Sequence, residues 1–317
     1  MHRHAGLALL AFALGACQTT TVGQAPASTP SLLPLFGPVI GAEVIGGRVE
    51  DRAGVVWLLA GGNAMVRVDL DARRARRIPL QLGPADQCWG LAQLEDGSMW
   101  SLKGRRALVR LEEDGRIARE IPLPSAHLGL FASGDLLLYQ RADFTSPAPA
   151  LLAGSPGDPD PHPWSGVTTR SFDGLARASA AALNMVSCGI SRADERACWF
   201  PDEAAVALID RSGRTRRLEL SGLDVVPAAV LLTSENPPRP VRDAYIDETG
   251  GLLVLGSGKR PPGEPDQPGG WLLARYGSAG QSIGMTALSE PARLILRASS
   301  QRAVLLTSAG MIVEVHP

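Results

Sequence analysis

Beyond its N-terminus the chain is a succession of apolar runs, four to six residues long, separated by turns rich in Gly, Asp, Asn and Ser. Runs this short, aliphatic and partly β-branched, predict strands joined by tight hairpins rather than helices. The pattern also repeats. Val49–Leu80 reads VEDRAGVVWLLAGGNAMVRVDLDARRARRIPL, and Leu94–Leu123 reads LEDGSMWSLKGRRALVRLEEDGRIAREIPL. Both pass from an acidic turn through glycine to Trp57 or Trp100, then to VRVD or VRLE, a charged turn and IPL. Looser copies are SGDLLLYQ from Ser133, ADERACWFPDEAAVALIDRSGRTRRLEL over 193–220, DETGGLLVLGSG from Asp247, and SSQRAVLLTSAGMIVEV near the chain end.

Second strands start near Val55, Ser98, Asp135, Ala197, Gly251 and Ala303, the first three at about the forty-residue period of four-stranded propeller blades and the later ones with longer links between them. Six copies predict an all-β, six-bladed β-propeller over residues 31–317. A β-sandwich gives no reason for the recurring turn–Gly–Trp/Leu order. The last copy offers strands near Leu294–Arg297, Ala303–Thr307 and Met311–Val315, but no fourth. Either Ser31–Leu35 or Val39–Ile40, ahead of a first inner strand at Val44–Val49, is expected to add it, which leaves no open edge in that blade.

The run Asp96-Gly97-Ser98-Met99-Trp100 through Arg116-Ile117 and Ile121-Pro122-Leu123-Pro124 resembles NHL, virginiamycin B lyase-like and gluconolactonase-like propellers. That resemblance implies the architecture. Its activities range over lyases, lactonases and pure binding modules. The lyase-like members carry a tryptophan–aromatic–threonine–glutamate run. The corresponding segments here, Trp57-Leu58-Leu59-Ala60 and Trp100-Ser101-Leu102-Lys103, lack the glutamate.

The N-terminus reads as an address. A basic start at Arg3 precedes an apolar run from Leu7 to Leu14, too short to span a bilayer and suited to a signal-peptide core. Leu14-Gly15-Ala16-Cys17 resembles the bacterial lipoprotein lipobox, which implies cleavage after residue 16 and lipidation of Cys17, a palmitate-type anchor included. Residues 17–30 are polar, uncharged and proline-containing, as expected for a flexible tether. Gln18 in place of an aspartate leans the expectation towards the outer membrane, facing the periplasm.

Charge and chemistry narrow the function further. Thirty-one basic and 32 acidic residues give a net charge of −1, which excludes a chain built overall to neutralise nucleic-acid phosphates. G-x-G-x-x-G after a strand, H-E-x-x-H, G-x-S-x-G and S-x-x-K are all missing, so no catalytic constellation, metal site or cofactor is predicted. Past the leader only His127, His162 and His316 remain. His162 sits in a proline-spaced loop, whereas His127 near the third inner strand and Asn184 before the fourth are the candidates to face the channel. Asp51, Asp96, Asp194 and Asp247 recur at inner hairpins, where Asx turns account for them. Of Cys88, Cys188 and Cys198, the pair Cys188–Cys198 flanks one hairpin and is the expected disulfide in an oxidising compartment. Arginines at 73, 74, 76 and 77, at 116 and 119, and at 211, 214, 216 and 217 fall on outer strands or their turns, where charge resists edge-to-edge pairing.

Recognition is expected on one rim. In a blade whose strands alternate, the links from second to third strand and from one blade to the next emerge on the same face. The long proline-containing segments Ser146–Pro149, Lys259–Gly270 and Ser234–Pro240 fall there. Phe144, Arg260 and Trp271 are the candidate anchors, because aromatics and arginine dominate hot spots. The reading is a lipid-anchored envelope module that binds another envelope protein or a saccharide. The alternative is a lyase or lactonase with its site at the channel mouth.

Overall fold

A computed structural model describes residues 33–316 apart from 39, 42, 52, 143–146, 159, 165, 173, 192–194, 234–238 and 259–269. The described strands form six sheets in chain order, antiparallel throughout except for one parallel pairing in the fifth. Blade 1 comprises Ile45–Glu50, Val55–Ala60, Ala64–Asp69 and Arg74–Pro79; blade 2 comprises Cys88–Gln93, Met99–Lys103, Ala107–Leu111 and Ile117–Pro122. Blade 3 has His127–Ser133, Leu136–Arg141, Leu151–Gly154 and the two-residue His162–Pro163, while blade 4 has Ser187–Cys188, Glu195–Trp199, Ala205–Asp210 and Thr215–Glu219. Blade 5 is Asp243–Ile246, Leu252–Ser257, Trp271–Tyr276 and Ser282–Ala287. Blade 6 holds Ala292–Ala298, Ala303–Thr307 and Ile312–Val315, and Leu33–Phe36 pairs antiparallel with the last of these as its outermost strand. The chain is a six-bladed β-propeller.

Burial follows the strand positions. The second strand of blade 1, VVWLLA, is buried throughout, whereas the outer strand RARRIP exposes all but Ile78 and has charge where an unpaired edge would invite aggregation. Six apolar clusters form between successive blades, each fed by two neighbouring sheets, and the sixth joins Leu296, Val304 and Ile312 to Val56, Leu58 and Val66. Each large aliphatic residue closed into such a cluster contributes roughly 1.5–3 kcal/mol. The repeat tryptophans serve this packing and hold their own turns: Trp57 Nε1 donates to Asp51 Oδ2 at 3.3 Å and Trp100 Nε1 to Ser98 Oγ at 2.9 Å. Glycines let blades meet at backbone distance. At Gly115, with φ +85°, a Cβ would lie 2.2 Å from Pro79 O of the preceding blade.

Two regions depart from the repeat. The fourth inner strand splits, so that Ser187–Cys188 pairs within its blade while Ile190–Ser191 crosses to pair in parallel with Tyr245–Ile246 of blade 5. Gly189 makes the crossing possible, since a Cβ there would meet Ala244 O at 2.0 Å. The links before blades 4 and 5 carry short helices, Arg177–Leu183 and Ala228–Thr233, which the strand-only reading did not contain. The proline-rich segment around His162 also adds a short strand, pairing Ala153 with His162 and Leu152 with Pro163.

Candidate functional site

The inner strands bring charge into the channel. Arg48 of blade 1 pairs with Asp243 of blade 5 at 2.5 Å, donates to Ala244 O at 3.2 Å and also reaches Ile295 O. Asp243 accepts the Ile295 N–H at 2.6 Å and the Ala244 N–H at 2.9 Å, so one carboxylate joins blades 1, 5 and 6. Burial pushes the Asp243 carboxyl up, and Arg48 together with those two N–H groups opposes that. Arg196 reaches in from blade 4, donating to Gly189 O at 3.0 Å. Burial, with Arg48 as a like-charged neighbour, lowers Arg196 to about 10.

The turn-face mouth of the channel opens into a cavity of about 460 Å³ between blades 5, 6 and 1. Its base is a network in which Arg297 pairs with Glu50 at 3.1 Å and Asp71 at 3.0 Å, and Tyr245 donates to Glu50 at 2.9 Å. Asp247 closes its own hairpin by accepting from the Thr249 and Gly251 N–H groups, and it pairs with Arg275 at 3.0 Å. Opposite charges here largely answer each other. The sequence carries one signal for this network: Arg48, Glu50, Asp243 and Arg297 are charges on inner strands that, apart from Arg293, are otherwise apolar or small.

The link face is different. Trp271 opens the third strand of blade 5 and packs against the cluster between blades 5 and 6, with the Arg242 guanidinium 5.0 Å above its ring. Burial holds the Arg242 guanidinium below its ordinary range, with the charges of Arg239 and Arg293 adding to that and Asp243 opposing it. Among the described residues no carboxylate makes an ion pair with Arg239, Arg242 or Arg293.

Comparison with known proteins places this geometry. No protein-family model and no curated protein matches the chain. Among solved structures, a catalytically inactive virginiamycin B lyase from Staphylococcus aureus with quinupristin superposes with a TM-score of 0.51 at 14% identity, over 85% of this chain and 79% of that one. A member of the DUF4221 family from Bacteroides vulgatus gives 0.54 at 12% identity, over 90% and 95%. The structural neighbours are virginiamycin B lyase-like and other β-propellers. At these identities the likeness is one of fold.

The other sequence candidates fall as follows. His127 is closed off from solvent: it is 1% exposed, tilted against Tyr139 with ring centroids 5.1 Å apart, and its Nε2 lies 3.3 Å from Ser125 Oγ. Burial holds its imidazole below the ordinary range and pushes the Tyr139 phenol up to about 12. Asn184, fully buried, is likewise unavailable to a ligand, because its amide closes a reciprocal pair with Arg170, accepting the N–H at 2.8 Å and donating to the carbonyl at 2.9 Å. His316 is an exposed partner of Glu314 at 3.1 Å. Asp51 and Asp96 bond hairpin N–H groups at 2.9 and 2.8 Å. Cys188 and Cys198 form a disulfide across the first hairpin of blade 4, with Cα atoms 4.1 Å apart. Cys88 is a buried free thiol, raised to about 11 by desolvation. Several outer-strand arginines pair locally, Arg77 with Glu43 at 2.7 Å and Arg217 with Glu203 at 2.7 Å among them. Cys17, Phe144 and Arg260 lie outside the described residues, as do Asp194 and most of Lys259–Gly270.

Proposed function

We propose that the chain is a lipid-anchored β-propeller of the cell envelope that serves as a binding module, with recognition on the link face. One observation supports it above the others: on the link face Trp271 lies beneath Arg242, whose like-charged neighbours are Arg239 and Arg293, and no carboxylate makes an ion pair with these arginines among the described residues. An aromatic with an apolar base and a charged cover is the kind of group that dominates binding energy at interfaces. The turn-face cavity, by contrast, has most of its charges paired within the fold. Long proline-containing links also emerge mostly on the recognition face, the segment Gly154–Gly166 being the exception on the turn face, and insertions there cost the scaffold little.

Two experiments test the reading. Cys17→Ser protein should leave the membrane fraction for the soluble one, and quantitative retention after a high-salt wash overturns the anchor. Full-length lipidated protein used to capture partners from native membranes should lose those partners in Trp271→Ala or when Lys259–Gly270 is shortened to a tight turn, with the melting temperature little changed. Capture that survives both changes and is lost on neutralising Arg73, Arg74, Arg76 and Arg77 moves recognition to the turn face.

A further inference from the structure

The arginines on the link face are held in place by the fold and are not merely clustered by composition. Arg239 is pinned where its carbonyl accepts the Ser257 N–H at 3.1 Å, and the Arg242 N–H donates to Leu255 O at 2.8 Å. Gly256 lies between these two contacts and permits them: a Cβ there would come within 1.9 Å of Pro240 O. Ser257 is in turn the register partner of Trp271, which supports the Arg242 guanidinium. Arg293 of the next blade donates to Gly41 O at 3.2 Å, Glu43 O at 3.1 Å and Ser308 O at 2.8 Å, so its charge is solvated by carbonyls and not cancelled. Two of the nearby acids are paired elsewhere. Asp243 faces Arg48 and the Ile295 N–H, and Glu43 is paired with Arg77. Asp224, whose N–H reaches Ser257 O at 3.4 Å, makes no ion pair among the described residues. Arg239 is exposed, and half-buried Arg242 is held below the ordinary arginine range by burial and by the charges of Arg239 and Arg293, against the opposing pull of Asp243. Like charges brought together in this way lower their free energy by taking up an anion.

We propose that Arg239, Arg242 and Arg293 form a binding site for a phosphate group, carried by a small phosphorylated molecule or by a phospholipid headgroup. This rests on the link face being the recognition surface. Guanidinium forks match phosphate oxygens two at a time, which a lysine cluster would not do. A phosphate monoester, with about 1.5 to 2 negative charges at neutral pH, answers several cations better than a single carboxylate. Trp271 fixes the plane of the Arg242 fork.

Calorimetric titration of the full chain with inorganic phosphate, and separately with phosphatidylglycerol vesicles, tests the site. Saturable phosphate binding is expected, weaker by about ten- to a hundredfold in Arg239→Gln and in Arg242→Gln and unchanged in Arg73→Gln/Arg74→Gln. A change in tryptophan emission should accompany binding and disappear in Trp271→Phe. Removing like charges should leave the melting temperature level or higher, so lost affinity is not lost folding. Binding to vesicles alone, abolished in Arg239→Gln/Arg242→Gln, assigns the phosphate to a headgroup. No saturable response to either probe, or an affinity unaltered in the double variant, overturns the proposal. If phosphate fails while Trp271→Ala still loses its captured partners, the ligand class falls and the recognition face stands; if capture is also retained, both fall.

Discussion

Replacing Asp243 with asparagine tests whether the channel ion pair holds the ring together. The substitution keeps the shape of the side chain but removes the charge that faces Arg48 at 2.5 Å, and it sets an NH2 group among donors that include the Ile295 N–H. Arg48 and Arg196 would then be two enclosed guanidinium groups with no compensating carboxylate of their own. Removing one partner of a buried pair costs about 3–5 kcal/mol, a sizeable share of the roughly 5–15 kcal/mol that holds a domain folded. At about 2 °C per kcal/mol for a chain this long, the melting temperature should fall by roughly 6–10 °C. Arg48→Met should be costly at neutral pH and less so in acid. The Asp243 carboxyl is already pushed up by burial, and without Arg48 its folded value rises further above the unfolded one. Such a group favours folding below the unfolded pKa and loses that contribution as pH climbs through the folded value. The double variant Arg48→Met/Asp243→Asn should lose at least 1 kcal/mol less than the two single losses combined, because it leaves no orphaned charge. Urea denaturation with constant m-values, read beside the melting temperatures, measures all three. Strictly additive singles, or an Asp243→Asn cost below about 1 kcal/mol, would refute the idea that this pair locks blades 1, 5 and 6.

Other consequences are equally open to measurement. His127 is buried with its pKa lowered, so the folded state resists its protonation and stability should decline as pH falls below about 6.5; His127→Gln should flatten that slope between pH 7.5 and 5.5, and an unchanged slope would place the titration elsewhere. Breaking the Cys188–Cys198 bridge, ten residues apart, by the double alanine variant should cost about 2–3 kcal/mol of loop-closure entropy, measured as denaturation without reductant against wild type. Cys88 should stay unalkylated in the native protein and react once urea unfolds it, since it is buried and its thiol is raised to about 11. Gly115→Ala forces a Cβ against Pro79 O at a positive φ and should lower the melting temperature by several degrees, whereas Gly97→Ala, with φ +84° and open space around it, should cost only its backbone strain.

The repeat was legible because a propeller blade is a local object. Its four strands are consecutive in sequence, and Trp57 and Trp100 each bond a residue of the turn just ahead of them. Counting turn–Gly–Trp/Leu copies therefore amounts to counting blades, and the short distance from Cys188 to Cys198 pointed to one hairpin. The channel was not legible in this way. Arg48 and Asp243 are 195 residues apart, and Arg48 reaches Ile295 across 247; nothing local in the chain says which inner-strand charges share an axis until six blades close. His127 and Asn184 could not be placed from sequence for the same reason, since a residue near an inner strand can face the axis or the gap between blades, and only the neighbouring sheet decides. The split fourth inner strand likewise depends on Gly189 meeting Ala244 O of blade 5, a contact no repeat pattern encodes. Hydrophobic periodicity and turn chemistry act over a few residues and determined the blades; the charges at the channel, its turn-face mouth and the link face were set by the ring they close.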